Sequence, residues 1–196
     1  MNKKPAGTHQ EMLPGKRTEI RLAGEGGQGM ILAGIILAEA AAIYDGKNAV
    51  QTQSYGPEAR GGASKSEVVI SASEIDHPEV LEADVLVALS KEAFKKFSKD
   101  VKPGGLVIVD EDRVDSSSLP GALRIPVTRL ALETTGRIIT ANTVALGVLV
   151  GLNEVVSRAA LEKAVQARAP RGTEEMNRKA LEAGFAAAEK VKQAAV

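Results

Sequence analysis

The sequence contains no cysteine and only two histidines, His9 and His77. Without thiols, the chain itself can form no disulfide, cysteine nucleophile or thiolate-ligated iron–sulfur cluster. Neither histidine has another histidine at the spacing typical of a metal site, so zinc binding is not expected. The sequence also lacks a Gly-x-Ser-x-Gly motif, and no histidine is placed to suggest a catalytic triad. These absences predict a chain without a complete active site of its own.

Net charge and long apolar runs are also missing. Lys and Arg total 25, and Asp and Glu total 25, so there is no basic field of the kind that drives nucleic-acid binding. The longest uncharged apolar runs, residues 30–38 and 144–152, are far shorter than the roughly 20 residues that span a bilayer. Residues 1–16 are polar and are expected to form a flexible arm before a single domain over residues 17–196. We therefore expect a cytoplasmic protein with no nucleic-acid partner and no membrane span.

A glycine-rich turn follows the first predicted strand. Gly24, Gly26 and Gly29 match the Gly-x-Gly-x-x-Gly spacing of dinucleotide-binding folds, in which a sharp turn brings the backbone close to a ligand. Two details oppose that interpretation. Glu25 places a negative charge beside the turn amides, and no acid ends the strand predicted over residues 48–53, where such a site needs one for the ribose. A purely structural glycine turn is the competing interpretation.

The rest of the pattern predicts an α/β fold with a Rossmann-like, mostly parallel sheet, an antiparallel hairpin and C-terminal helices. The hairpin is expected because the connection between its two strands is too short for a crossover helix. A turn is expected at residues 102–105, and the chain is expected to turn helical from Leu130 onward. The predicted elements are strands over 18–23, 48–53, 64–71, 84–89, 106–109 and 124–127, and helices over 30–44, 90–97, 142–152, 157–168 and 173–192.

Helical periodicity and composition add three observations about the predicted helices. The first helix carries Ile31, Ile35 and Ala38 on one side. The segment over residues 142–152 is apolar and contains glycine, which favours a packed helix over a ligand site. The last two helices are amphipathic, a pattern typical of helices that cover a sheet or contact another subunit.

A second segment gives the sequence a family resemblance. Residues 53–62 read Gln-Ser-Tyr-Gly-Pro-Glu-Ala-Arg-Gly-Gly, and together with the glycine turn at 24–29 they resemble the gamma subunits of 2-oxoacid:ferredoxin oxidoreductases. This family acts on pyruvate, 2-oxoglutarate or ketoisovalerate. The resemblance covers about residues 18–190, nearly all of the predicted domain. The lead-in Gln51-Thr52-Gln53 and the Pro-Glu-Ala-Arg form are most similar to the 2-oxoglutarate type.

The resemblance implies a non-catalytic subunit of a larger enzyme. That enzyme converts a 2-oxoacid, coenzyme A and oxidised ferredoxin to acyl-CoA, carbon dioxide and reduced ferredoxin. Thiamine diphosphate would be held by alpha and beta subunits, and iron–sulfur clusters by cysteine-bearing subunits that include a ferredoxin-like delta subunit. This chain alone would bind none of these cofactors and would be inactive, which agrees with its lack of cysteine.

The resemblance also implies that the two glycine-bearing loops face coenzyme A or the partner subunits. Arg60 offers a planar fork of donors suited to phosphate or carboxylate, and glycines beside it permit close approach of the backbone. The alternative is that Glu58 and Arg60 form a solvated ion pair at the hairpin tip. The candidate binding residues are Gly26, Gly27, Gln28, Gly29, Ser54, Tyr55, Glu58, Arg60, Gly61 and Gly62.

Two other functions remain open from the sequence. One is an NAD(P)-linked oxidoreductase that uses the glycine turn, and the missing acid at the strand end counts against it. The other is a stand-alone nucleotide-binding or regulatory module, for which the lack of catalytic residues is neutral.

Overall fold

The computed structural model describes residues 17–54 and 62–194, so the predicted arm over residues 1–16 lies outside the described residues. The described strands form one sheet of six, and helices follow and flank them. The strands are β1 Thr18–Glu25, β2 Asn48–Ser54, β3 Ala63–Ser71, β4 Ala83–Ala88, β5 Val101–Asp110 and β6 Leu123–Ile125. The α-helices are α1 Met30–Glu39, α2 Lys91–Phe97, α3 Val127–Thr135, α4 Ala141–Asn153, α5 Arg158–Arg168 and α6 Glu174–Ala194.

Three short helical segments extend these helices. A π-helical segment, Ala40–Tyr44, continues α1, and a 3-10 turn, Ser98–Asp100, continues α2. A second 3-10 turn, Ile138–Thr140, leads into α4. Within residues 17–54 and 62–194, no helix combines the length and the apolar character that a membrane span requires.

The sheet has the strand order β2-β3-β1-β4-β5-β6. β1, β4, β5 and β6 are parallel neighbours, whereas β3 pairs antiparallel with both β1 and β2. The predicted α/β class, mostly parallel sheet and antiparallel hairpin are therefore confirmed. Because β3 inserts between β1 and β2, the second strand of the chain lies at an edge of the described sheet and not beside the first.

The main hydrophobic core lies between one face of the sheet and a layer of helices. It joins residues of β1, β3, β4 and β5 to α1, α3, α4, α5 and α6. A second core covers the opposite face, where Phe94 and Phe97 of α2 cluster with buried residues of β1, β4 and β5. Arg21 of β1 is buried on this second face, where its guanidinium pairs with Glu67 of β3 at 2.7 Å and lies 5.4 Å from the centre of the Phe97 ring.

The segment predicted as a packed helix, α4, is buried along almost its whole length. Its glycines allow α6 to approach closely: a Cβ on Gly147 would lie 2.5 Å from the carbonyl oxygen of Leu181, and one on Gly184 would meet the carbonyl oxygen of Val144. The glycines in α4 and α6 are therefore packing residues, and the prediction of a packed helix is confirmed.

The side of α1 that carries Ile31, Ile35 and Ala38 is not its most deeply buried side. The buried residues include Met30, Ala33 and Leu37, whereas Ile31, Ile35 and Ala38 are only partly buried. A helix that is apolar on all sides gives almost no amphipathic signal, so the packing around it decides which side is covered. In this fold, contacts with β3, α4 and α5 determine which side of α1 is buried.

Two boundaries near the end of the sheet also differ from the prediction. β5 begins at Val101 and includes the residues expected as a turn at 102–105, where Gly104 has a φ of +79° and the register with β4 is irregular. The strand expected over 124–127 ends at Ile125, and α3 begins at Val127 instead of Leu130. The buried carboxylate of Asp110 accepts hydrogen bonds from the backbone N–H and hydroxyl of Thr128. A residue distant in sequence therefore stabilises the first turn of α3.

Candidate functional site

The sheet register brings the glycine turn and the entry to the hairpin together. Gly24 lies opposite Ser64 across β1 and β3, and Ser54 at the end of β2 lies opposite Lys65. The parallel strands β1, β4 and β5 also end at this side, which we call the carboxyl edge. Gly26, Gly27, Gln28, Gly29, Ser54 and Gly62 are thus placed at one edge, while Tyr55, Glu58, Arg60 and Gly61 lie outside the described residues.

The glycine turn needs glycine for two different reasons. Gly27 and Gly29 have φ angles of +92° and +73°, which L side chains rarely adopt. A Cβ on Gly24 would collide with the side chain of Gln28. At Gly26, by contrast, an added Cβ would have no atom of the described residues within 4 Å, so this position faces open space at the edge.

Gln28 closes the inside of the turn with its own side chain. Its Oε1 accepts a hydrogen bond from the backbone N–H of Glu25 at 2.7 Å, and its Nε2 donates to the carbonyl oxygen of Leu89 at 3.1 Å. In dinucleotide-binding folds, N–H groups of such a turn bind a pyrophosphate at the point where the strand order reverses. An anion at the Glu25 amide would therefore have to displace Gln28.

The position of β2 also opposes a dinucleotide site. In the Rossmann arrangement, the acid that binds the ribose ends a strand next to the first strand and parallel to it. In this sheet the neighbour of β1 on that side is β3, which is antiparallel and begins at the carboxyl edge. β2 ends at Ser54 one strand further away. The strand order and the missing acid at the end of β2 therefore both argue against a dinucleotide site.

Serines of β3 fix the hairpin to the glycine turn and to α1. The buried hydroxyl of Ser64 donates to the carbonyl oxygen of Gly24 at 3.1 Å. Ser66 lies against Gly34 of α1, where a Cβ on the glycine would collide with it. The amide of Gln51, part of the family lead-in, donates to the Ser66 hydroxyl at 2.7 Å. The lead-in residue Gln51 therefore makes a structural contact between β2 and β3. The sequence did not indicate a role for either serine.

Sequence reasoning also missed Asn142, the second residue of α4. Its side chain is 6% exposed, and its Nδ2 donates to the carbonyl oxygen of Gly29 at 3.3 Å. A Cβ on Gly29 would lie 2.7 Å from this nitrogen, so the two residues are in close contact. The signal available in the sequence was the Asn142-Thr143 pair at the start of an otherwise apolar helix.

Large apolar side chains are exposed near the glycine turn. Leu32, three residues after Gly29, is 41% exposed, and Ile138 and Ile139, in the turn that leads into α4, are 49% and 57% exposed. Because Asn142 bonds Gly29, the starts of α1 and α4 meet at the carboxyl edge. Exposed apolar side chains that group together are typical of contacts with other proteins, whereas single ones are common on any protein surface.

The opposite side of the sheet, the amino edge, is held by ion pairs. Nζ of Lys102 on β5 lies 2.8 Å from a carboxylate oxygen of Glu19 on β1 and 3.0 Å from one of Asp84 on β4. Burial raises the pKa of Glu19, but hydrogen bonds from Lys102 and Arg17 outweigh it and leave this pKa below its ordinary value. Burial lowers the pKa of Lys102, but its two carboxylate partners outweigh it and raise this pKa.

The fold and the carboxyl edge define an α/β domain whose glycine turn is closed by the side chain of Gln28. Residues 19–187 match the family model described as pyruvate ferredoxin/flavodoxin oxidoreductase, and the chain belongs to this family. Among the described residues, no three His, Cys, Asp or Glu side chains are grouped so that they could hold a metal ion.

Particular relatives agree with the gamma-subunit resemblance. The chain is 53% identical over 179 residues to 2-oxoglutarate synthase subunit KorC of Methanocaldococcus jannaschii, covering 89% of this chain and 96% of that one. The gamma subunit of a keto/oxoacid ferredoxin oxidoreductase from Geobacter sulfurreducens has a TM-score of 0.81 and 51% identity, covering 89% of this chain and 98% of that one. The resemblance inferred from the two motifs is therefore confirmed.

A third relative is a larger enzyme chain. The 2-oxoglutarate:ferredoxin oxidoreductase from Magnetococcus marinus, solved with 2-oxoglutarate, coenzyme A and succinyl-CoA bound, matches with a TM-score of 0.79 and 27% identity. The match covers 89% of this chain and 31% of that chain. The fold described here thus occurs as one part of a longer oxidoreductase polypeptide.

Proposed function

We propose that the chain is the non-catalytic gamma subunit of a thiamine diphosphate-dependent 2-oxoglutarate:ferredoxin oxidoreductase. The observation that carries this proposal is the similarity to a 2-oxoglutarate synthase subunit over 89% of this chain and 96% of the relative. Alpha and beta subunits supply the thiamine diphosphate, and a ferredoxin-like delta subunit supplies iron–sulfur clusters. Residues 17–196 act as one domain, and ferredoxin accepts the electrons. The chain alone is inactive because it lacks thiolate ligands and a catalytic constellation.

The carboxyl edge is the face that we assign to the partner subunits and to coenzyme A. The glycine turn, the hairpin entry at Ser54 and Gly62, and the exposed Leu32, Ile138 and Ile139 all lie there. Because Gln28 already accepts the hydrogen bond of the Glu25 amide, the turn contributes a closely approachable backbone surface and not a phosphate cradle. We assign the same role to Tyr55, Glu58, Arg60 and Gly61, which lie outside the described residues, and the planar fork of donors makes Arg60 the residue suited to the coenzyme A phosphates.

The subunit assignment is tested by recovering the complex. Tagged protein expressed in its native host is expected to co-purify, at low salt, with thiamine-binding and ferredoxin-like subunits. The recovered complex should reduce ferredoxin with 2-oxoglutarate and coenzyme A more efficiently, by kcat/KM, than with pyruvate or a branched-chain oxoacid. Recovery of this chain without such partners would contradict the assignment. A complex that prefers pyruvate would keep the family and refute the 2-oxoglutarate type.

The role of Arg60 is tested by a coenzyme A titration of the assembled enzyme. Arg60→Ala is expected to weaken subunit association or raise the apparent KM for coenzyme A. Arg60→Lys should restore only part of the loss, because a point charge lacks the bidentate fork. Size-exclusion chromatography separates an assembly defect from a binding defect. Wild-type assembly together with a wild-type coenzyme A dependence would show that the hairpin tip is a solvated surface.

A further inference from the structure

The first turn of α4 is polar although the rest of this helix is apolar. Asn142 and Thr143 are 6% and 2% exposed. The Asn142 side chain donates from Nδ2 to the carbonyl oxygen of Gly29, and its Oδ1 accepts from the backbone N–H of Thr143 at 2.8 Å. Both ends of one buried amide are thus engaged, one at the glycine turn and one at the start of α4.

Hydrogen bonds continue from this pair into α6. The Thr143 hydroxyl lies 3.2 Å from Oδ1 of Asn177, to which it donates. Nδ2 of Asn177 donates in turn to the carbonyl oxygen of Thr173 at 3.0 Å and to its hydroxyl at 3.2 Å. A chain of hydrogen bonds therefore connects the residue before α6 to the glycine turn through the side chains of Asn177 and Asn142 and both the hydroxyl and the backbone N–H of Thr143. In the sequence, 144 positions separate Thr173 from Gly29.

We propose that Asn142 is a positioning residue that holds the glycine turn in place, and that Thr143 and Asn177 extend this support to the start of α6. The carbonyl oxygen of Gly29 also accepts the N–H of Ala33 at 2.9 Å, at the start of α1. A shift of Gly29 therefore moves both the turn and the first turn of α1, which carries Leu32. Any effect on coenzyme A or on assembly rests on the function proposed above, whereas the support of the turn rests on the contacts themselves.

An amide is required at position 142 because the side chain must donate and accept at once. A carboxylate has the same shape but only accepts, so Asn142→Asp would place an oxygen against the Gly29 carbonyl oxygen. Thr143→Val keeps the branched shape and removes the hydroxyl, whereas Thr143→Ser keeps the hydroxyl. Ser71→Ala is the matched control: Ser71 is 5% exposed and accepts the N–H of Ser73 at 3.0 Å, but it lies at the other end of the sheet.

Hydrogen exchange on the isolated folded chain tests the support of the turn. Asn142→Asp is expected to speed exchange at the start of α1 by roughly tenfold relative to the core strands β4 and β5, the size of one lost buried hydrogen bond. Thr143→Val should produce a smaller acceleration at the same amides, about threefold. Thr143→Ser and Ser71→Ala should leave these amides like wild type. Equal acceleration throughout the chain, or none at these amides, would overturn the proposal. If Asn142→Asp does not fold, the proposal is tested by comparing Thr143→Val with Thr143→Ser. Faster exchange at the start of α1 in Thr143→Val alone would support it, and equal exchange in the two variants would overturn it.

The assembled enzyme supplies a second readout. Asn142→Asp is expected to raise the apparent KM for coenzyme A by about fivefold with a smaller change in kcat, because a misplaced loop weakens binding more than it changes chemistry elsewhere. If Asn142 had only a structural role, Asn142→Asp would lower the melting temperature but leave the apparent KM for coenzyme A unchanged at temperatures where the protein is folded. Accelerated exchange at the turn with a wild-type coenzyme A dependence would refute the proposed coenzyme A face and leave the positioning role intact.

Discussion

At the amino ends of β1, β4 and β5, charged side chains join the strands, whereas at the carboxyl ends of β1 and β4 neutral amides, hydroxyls and the backbone make the contacts. Lys102 bridges Glu19 and Asp84 at the amino edge. At the carboxyl edge, Gln28 and Asn142 bond backbone groups of the glycine turn and of the residue after β4. Ion pairs near the surface tolerate movement and are screened by salt. Directional amide contacts fix a loop in one geometry, which suits an edge that meets a partner.

The largest expected effect comes from a matched pair of glycines. Gly29 and Gly104 both have positive φ, but a Cβ on Gly29 meets Asn142, whereas the described residues leave the space around Gly104 open. Gly104→Ala should cost about 1 kcal/mol through backbone strain alone. Gly29→Ala should cost about 2–4 kcal/mol because overpacking is added to the same strain. Denaturant unfolding of both variants measures the difference, and equal losses would show that the Asn142 contact does not constrain the turn.

Removing the amide that closes the turn should have a moderate effect. Gln28→Ala deletes the hydrogen bonds to the Glu25 amide and the Leu89 carbonyl. We expect a loss of about 1–2 kcal/mol, since water can reach part of this half-buried site and replace some of the bonding. The loss should be nearly independent of salt because no ion pair is involved. A loss that disappeared in roughly 1 M NaCl, where charge interactions are strongly screened, would contradict the neutral character of the contacts that Gln28 makes in the glycine turn.

The amino edge should instead respond to acid. The pKa of Glu19 is lowered in the folded chain, so its ion pairs stabilise the protein above the unfolded pKa near 4.5. That contribution is lost as the pH falls through the lower folded pKa. Glu19→Gln should therefore flatten the fall in melting temperature between about pH 5 and pH 2. Gln28→Ala is the control, and its profile should run parallel to wild type. Equal slopes for wild type and Glu19→Gln would refute the assignment.

The smallest effect on stability is expected from two exposed apolar residues. Ile139 is 57% exposed beside the carboxyl edge, and Leu81 is 77% exposed just before β4, at the amino edge. Ile139→Ser and Leu81→Ser should each change the free energy of unfolding by no more than about 0.5 kcal/mol. In the complex, only Ile139→Ser should weaken association, as measured by size-exclusion chromatography at decreasing concentration. Weakened assembly with Leu81→Ser alone would show that the partner binds at the amino edge instead.

Local sequence signals predicted most elements well, with clear exceptions. The Ser90 cap and α2 agree with the prediction, because the hydroxyl accepts the N–H of Ala93 within the same turn. The start of α3 disagrees, because its partner Asp110 lies 18 residues earlier in the sequence. The sequence also did not indicate which face of α1 is buried, because a uniformly apolar helix does not specify one. Errors thus arose where a long-range partner decided the local structure.

The candidate site likewise combines features that the sequence indicated with features that depend on distant residues. The glycine turn was recognised in the sequence by the spacing of Gly24, Gly26 and Gly29, and its backbone has a positive φ at Gly29 and also at Gly27, which is not part of that spacing. The sequence did not reveal that Gln28 closes that turn, since the bond to Leu89 joins residues 61 positions apart. Asn142 was missed because the residue it holds lies 113 positions earlier.

The sequence by itself determined the family, the α/β class, the hairpin and the absence of thiolate ligands. These follow from motifs, periodicity and composition, which are properties of short segments or of the whole chain. The tertiary structure alone decided that β3 separates β2 from β1, that Gln28 occupies the glycine turn and that α4 supports it. The physical reason is that hydrogen bonding and packing between distant segments depend on strand order and register, and no local pattern encodes these relations.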